Sequence, residues 1–348
     1  MNARIRMKMA LISILLLFAM LFANPVSASD SGESEPTGST DYGFSVDARG
    51  AILMEAETGT VLFEQNADAA YSPASVTKIM TLLLVMEALE SGKIGLNDKV
   101  SVSEHAASMG GSQVFLEVGE LMTVEEMIKC TVIASANDAA VALAEFVSGS
   151  ESAFVADMNR RAAELGMTSS HFENVTGLDD TTENHVTSAA DIAKMSRELI
   201  QHELILKYSS VWMDSIRDGA FTLTNTNRLI RYYEGATGLK TGSTEKAKFC
   251  ISTTATRGGM TLIAVIMGAP TRDVRNDAAR RLLDYGFANY ALYRSEPKKW
   301  SSIPIVGGTE QFAEATLDGF SAVIKKSELS GVVCEISIPE RISAPLSL

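Results

Sequence analysis

Two periods of hydrophobic and polar positions alternate along this chain, and the places where the period changes divide it. From Gly50 to Ala56 and from Gly59 to Glu64 the apolar residues fall in short extended runs. Glu57-Thr58-Gly59 between them reads as a tight hairpin turn. From Pro73 the period lengthens. Ile79, Leu82, Leu83, Met86 and Leu89 recur three and four positions apart, which predicts a helix to Ser91 with those residues as its buried stripe. Proline suits the first turn and Gly92 the stop. Residues 93–170 read as mostly helical. Thr123 and Glu126 have capping-box spacing ahead of apolar residues. Asp138 to Val147 is alanine-rich, and Glu151 to Leu165 is amphipathic and closed by Gly166. A further helix is expected from Thr187 to His202, with Thr187 or Ser188 as its cap, and His185 is expected to help cap it.

After Ala236 the pattern returns to strands: Leu239 to Ser243, Phe249 to Ala255 and Met260 to Met267, the last two joined by Gly258-Gly259. Asp273 to Tyr290 is helical again. Strands open and close this stretch and helices fill its middle. That order predicts an α/β (α+β) sandwich of an antiparallel sheet with helices, the first hairpin pairing beside the last strands.

From Ser295 the texture changes. Pro297, Pro304, Gly307-Gly308, Gly319, Gly331 and Pro339 punctuate short β-like pieces such as Ser321 to Ile324 and Gly331 to Ile338. A small second β domain, 295–348, is expected, and a piece of ~50 residues is marginal for an independent core. At the other end, Arg4, Arg6 and Lys8 precede an apolar run, Met9 to Ala23, and Val26-Ser27-Ala28 supplies small residues at a cleavage position. Residues 1–28 therefore read as a signal peptide and the product as exported and extracytoplasmic; a retained anchor is the alternative. The Ser-, Gly- and acid-rich stretch 29–42 reads as a flexible tether, leaving 43–294 as the principal domain.

The 348 residues carry a formal net charge of −13. Loss of residues 1–28 would leave 27 basic against 43 acidic side chains. Such a surface argues against nucleic acid as a partner and against a polybasic membrane patch. Cys130, Cys250 and Cys334 are widely spaced, with no metal-ligand pattern, and the first two sit in apolar runs as small buried thiols do.

The candidate chemistry lies in three short motifs. Ser75 and Lys78 are three residues apart, which in a helix places them on one face. A lysine whose charge is disfavoured by burial or a nearby cation can take the serine's proton and make it a nucleophile. Ser135 and Asn137, flanking Ala136 between two helices, offer a hydroxyl to relay a proton and an amide to hold both a lysine and a substrate amide. Lys240 and Thr241 suit a substrate carboxylate. Gly242 would let a substrate backbone approach closely. The backbone N–H of Ser243 could pair with that of Ser75 as an oxyanion hole. Taken singly, a capping serine and a solvated lysine explain each motif; their joint order does not fit that reading. The four histidines lack metal or triad spacing, and no G-x-S-x-G elbow is present. Met80 and Met86 read as core filler.

S-x-x-K, S-x-N and K-T-G in this order resemble the penicillin-binding protein and serine β-lactamase superfamily. Ser72 to Thr81, Ala134 to Ala140, Phe172 to Leu178, His185 to Asp191 and Thr237 to Gly242 narrow the resemblance to the low-molecular-mass serine-type D-alanyl-D-alanine carboxypeptidases, over about residues 45–340. The resemblance implies that Ser75 is acylated by a peptidoglycan stem peptide ending in D-Ala-D-Ala, with Lys78 as base. Ser135 and Asn137 would shuttle the proton and orient substrate. Lys240, Thr241 and, in the Thr271 to Arg275 turn, Arg275 would hold the terminal carboxylate. It implies acylation by β-lactam inhibitors and no metal or organic cofactor. A class A β-lactamase would need an E-x-x-L-N stretch, which is absent; a catalytically silent wall-binding scaffold is the other alternative. The family's second domain is usually longer and ends in a membrane-lying amphipathic helix. This chain stops at Pro345-Leu346-Ser347-Leu348 without one, so membrane-surface association and truncation of the β domain both stay open.

Overall fold

A computed structural model describes residues 42–180, 182–333 and 336–343. The expected signal peptide, nearly all of the expected tether, and Cys334 lie outside the described residues. The chain divides into two compact units. The larger holds Phe44–Arg294 and Ser321–Val332; the smaller takes in Ser295–Phe320 and the described residues from 333 on.

The larger unit opens with the hairpin β1 (Gly50–Glu55) and β2 (Val61–Gln65). A 3-10 turn, Ala74–Thr77, leads into α1 (Lys78–Glu90). There follow β3 (Lys99–Ser101), α2 (Glu104–Ala107), β4 (Leu121–Thr123), α3 (Val124–Ile133), α4 (Asn137–Ser148) and α5 (Glu151–Glu164). Then come α6 (Ala189–Leu199), α7 (Glu203–Ser209), β5 (Met213–Ile216), β6 (Phe221–Thr224) and α8 (Leu229–Tyr232). The closing run is β7 (Ala236–Thr244), β8 (Lys248–Arg257), β9 (Met260–Ala269), α9 (Arg272–Asn289) and β10 (Tyr290–Arg294).

The main sheet is antiparallel with order β2-β1-β9-β8-β7, so the first hairpin does pair beside the last strands. Side chains alternate across it, as strand geometry requires. Ile52, Met54, Ile263, Val265 and Met267 enter the core shared with α1 and α6. Leu53 and Leu262 point to the other face, where they close on Gly286 of α9. The result is a helix–sheet–helix sandwich, with β2 and β7 as the edge strands of its sheet.

Several expectations shift. The predicted stripe on α1 is a helix buried nearly all round: Met80, Leu84 and Val85 are as buried as Leu82 and Leu83, while Leu89 is only half-buried. A helix packed on α3, α4, α5 and α6 at once has no solvent face to keep polar. Residues 108–120 form a loop instead of helix; the Asp138 carboxylate accepts from the amides of Val114 and Leu116 and pins it. The Thr123–Glu126 capping box on α3 is present in both directions. Ser188, not His185, caps α6.

Ser321–Lys325 (β13) forms a strand, but it pairs with β10 inside the larger unit. The stretch expected as one domain, 295–348, is therefore interrupted, because these residues find a cross-strand partner in β10. In the smaller unit, β11 (Lys298–Val306) pairs with β12 (Phe312–Leu317) and with β14 (Ile342–Ser343). Among its described residues only Ile303 is fully buried. Residues 332–333 and 336–338 are not strand.

Candidate active site

Ser75 lies in the 3-10 turn before α1, not within a regular α-helix. The departure has a local cause. Ala74 takes a left-handed φ of +49°, and Thr77 Oγ1 donates to its carbonyl at 2.9 Å. Behind the turn lie Gly177 and His185. A side chain on Gly177 would run into the Ala74 carbonyl. Buried His185 accepts the Glu173 amide at Nδ1, so its proton sits on Nε2 and is donated to Thr77 Oγ1 at 2.8 Å. Burial pushes the imidazole pKa down to about 4.

Lys78 is completely buried one turn on. Its Nζ donates to Asn137 Oδ1 at 2.5 Å and to the Thr176 carbonyl at 2.8 Å, and lies 3.1 Å from Ser75 Oγ. Burial, and then the charge of Lys240, hold its pKa well below the ordinary 10.5, against a smaller opposing pull from Asp138. A neutral amine has two N–H donors and one lone pair. In that form Asn137 and Thr176 take both donors and the lone pair is left to face the Ser75 hydroxyl.

Ser135 sits between α3 and α4 at φ +65° and is buried. It does not cap α4; the residue before that helix is Ala136, which has no side-chain cap to offer. Ser135 Oγ instead accepts from Lys240 Nζ at 2.8 Å. One short loop thus holds both amines, Lys78 through Asn137 and Lys240 through Ser135. The Asn137 amide is fixed at its other end by the Gly110 carbonyl at 2.7 Å.

Lys240 and Thr241 lie on the edge strand β7. Burial and the neighbouring Arg275 bring the Lys240 pKa down to about 7. Thr241 Oγ1 donates to Thr226 Oγ1 at 2.8 Å. Gly242 also meets a constraint that was not expected. A Cβ there would stand 2.8 Å from Ser75 N and 2.9 Å from Pro73 O and Val76 N. What comes close is the strand's own neighbour, the Ser75 turn, and Ser243 follows directly after that contact. Arg275, in the first turn of α9, is buried. Its guanidinium donates to Asn276 Oδ1 and the Cys250 carbonyl, and it has no ion-pair partner among the described residues. Burial, then the charge of Arg272, lowers its pKa to about 10.

Ser75, Ser135, Thr241, Gly242, Ser243 and Arg275 line one cleft of about 640 Å³. Lys78 and Lys240 lie beneath it, bonded to Ser75 and Ser135. Every residue singled out from the three motifs therefore converges on one place. The sequence reading missed Thr176, whose carbonyl holds Lys78, and Thr226, which orients Thr241. It also missed Asp179, whose Oδ2 accepts from Ser72 Oγ at 3.0 Å and Thr244 Oγ1 at 2.6 Å, tying the nucleophile turn to the end of β7. The Asn174-Val175-Thr176-Gly177 turn was visible only as part of a resemblance; a backbone carbonyl leaves no residue-type signal.

A serine hydroxyl 3.1 Å from a buried amine, beside a cation-lined cleft at a sheet edge, has the groups that acyl transfer needs. The chain belongs to the D-alanyl-D-alanine carboxypeptidase family, peptidase family S11, whose profile matches residues 34–271. It is 45% identical over 344 residues to the D-alanyl-D-alanine carboxypeptidase DacF of Bacillus subtilis, covering 97% of this chain and 87% of that protein. The fold is that of penicillin-binding protein 5 from Haemophilus influenzae, with a TM-score of 0.78, 29% identity and 91% of each chain covered. Penicillin-binding protein 6B of Escherichia coli superposes with a TM-score of 0.71 at 32% identity, over 82% of this chain and 87% of that one.

Proposed function

We propose that this protein is an exported DD-carboxypeptidase that removes the terminal D-alanine from peptidoglycan stem peptides through an acyl-enzyme on Ser75. The observation that carries the reading is the buried Lys78 amine, held by Asn137 and Thr176 with its Nζ 3.1 Å from Ser75 Oγ. The peptide binds along β7 with its terminal carboxylate against Lys240, Thr241 and Arg275. A bound carboxylate restores the full charge of Lys240, which burial had weakened. Ser75 Oγ gives its proton to Lys78 and attacks the penultimate carbonyl. The developing oxyanion faces the amides of Ser75 and Ser243. The proton passes to the departing amine, with Ser135 Oγ, hydrogen-bonded to Lys240, as the relay. Water then hydrolyses the ester.

The same serine would open a β-lactam ring. Slow release of that adduct is expected, because among the described residues no carboxylate lines the cleft. Glu173 is engaged elsewhere, accepting from the amides of Glu183 and Asn184. That disfavours a class A β-lactamase, and the intact constellation disfavours a silent scaffold. Export rests on the basic head, apolar run and small residues within 1–28.

Intact-protein mass spectrometry after exposure to a penicillin, followed by peptide mapping, tests the reading. One adduct on Ser75, absent from Ser75→Ala, is expected. An adduct on another residue sinks the assignment.

A further inference from the structure

The cleft carries more positive charge than its proposed substrate needs. A departing D-alanine has one carboxylate, and Lys240, Thr241 and Arg275 already meet it. Two more guanidinium groups, Arg228 and Arg272, line the same cleft. Arg272 opens α9 one turn before Arg275, and Arg228 shares a neighbouring pocket with Asn276, so both stand on the Arg275 side of the cleft, where the leaving residue goes. Both are exposed, and neither has an ion-pair or hydrogen-bond partner among the described residues. The neighbouring Arg231 differs, since it is stacked 5.5 Å from the ring centroids of Trp212 and Tyr232. Neither makes an ion pair with the nearby Asp273 or Asp277, which share a second pocket with Arg228. Asp273 follows Arg272 in the chain and partly offsets the repulsion felt by Arg275. Asp277 is paired with Arg280 at 3.1 Å.

We propose that Arg228 and Arg272 form a subsite for a second carboxylate on the leaving residue, so that the enzyme also cleaves peptides in which a D-residue with an acidic side chain follows the scissile bond. This rests on the carboxypeptidase reading above and extends it to a substrate class. The chemistry is unchanged. The Ser75 Oγ–carbonyl bond forms, the bond from that carbonyl to the leaving amine breaks, the amine takes the proton, and water releases the acyl group. Only the recognition of the departing side chain is new. Guanidinium groups at a cleft rim lose less of an ion pair to screening than groups on open surface.

The test compares three acetylated peptides ending in D-Ala-D-Ala, D-Ala-D-Glu and D-Ala-D-Gln, with the full chain as enzyme and the released amino acid as readout. Glutamate and glutamine have the same shape and differ in charge. Wild type should favour D-Glu over D-Gln by about tenfold in kcat/KM, and added salt should erode the preference. In Arg228→Gln/Arg272→Gln the ratio should fall to near one. Because the ratio is taken within each protein, a general loss of activity cancels. Equal rates for D-Glu and D-Gln in wild type, or a preference that survives the double substitution, overturns the inference. Failure of wild type to release anything from D-Ala-D-Ala sinks the carboxypeptidase reading and the subsite with it. Turnover of that peptide without discrimination removes the subsite alone.

Discussion

His185 couples the stability of the active-site turn to pH. Its imidazole is buried edge-on to Phe172, with ring centroids 5.8 Å apart, and its two nitrogens are committed in opposite senses. Nδ1 accepts the Glu173 amide and Nε2 donates to Thr77, which in turn donates to the Ala74 carbonyl beside Ser75. A second proton on Nδ1 would face an N–H. Burial holds the folded pKa at about 4 against an ordinary 6.5. Between those values the unfolded chain binds a proton that the folded chain does not, so stability rises with pH there. The contribution is whole above about 6.5 and is lost as pH falls towards 4. The full difference is worth about 3 kcal/mol, of which about 2 kcal/mol is gone by about pH 5. Carboxylates titrate in the same window, so the assay must isolate the imidazole. Urea unfolding of wild type and His185→Gln at about pH 7.5 and about pH 5 does so, since glutamine does not titrate. The stability advantage of wild type should shrink by about 2 kcal/mol on acidification. An advantage that stays constant refutes the neutral, proton-refusing imidazole.

Other consequences follow from the same geometry. Lys78→Met keeps the buried volume but removes the base; acylation by a penicillin, timed by mass spectrometry, should slow by about 10³-fold while the urea midpoint does not fall. Gly242→Ala places a methyl against the backbone of Pro73, Ser75 and Val76, none of which can rotate away; the acylation rate should drop by at least about tenfold, and unchanged kinetics would deny the close approach. Asp179→Ala cuts the tie between Ser72 and Thr244 and should lower kcat more than it raises KM, whereas Asp179→Asn keeps one carbonyl acceptor and should retain most activity; equal effects of the two would argue against a positioning role. Gly177→Ala should destabilise the fold by several kcal/mol, because φ is +81° there and the Ala74 carbonyl occupies the space; a melting scan checks it.

Much of this protein was legible from local pattern. Short extended runs located β1, β2, β8 and β9, and the capping box located α3, because strand composition and helix caps are written into residues a few positions apart. The chemical residue types at 75, 78, 135, 137, 240 and 241 were legible for the same reason. What the stripe on α1 concealed was its surroundings. Ile79 and Leu82 look alike on an amphipathic helix and on one buried all round. The return of Ser321–Lys325 to β10 was equally hidden, since a strand's sequence does not name its partner.

By itself, then, the sequence determined which groups were available for acyl transfer and the order of the layers that present them. Tertiary structure decided what those groups are chemically. The Lys78 pKa is lowered because three distant segments remove its water, supply two carbonyl acceptors and set a second lysine nearby, and its proposed role as base depends on that. Gly242 matters for a contact with a turn some 170 positions earlier in the chain. Protonation state and close approach depend on the solvent and charge within a few ångströms, and those neighbours come from parts of the chain that no local spacing connects.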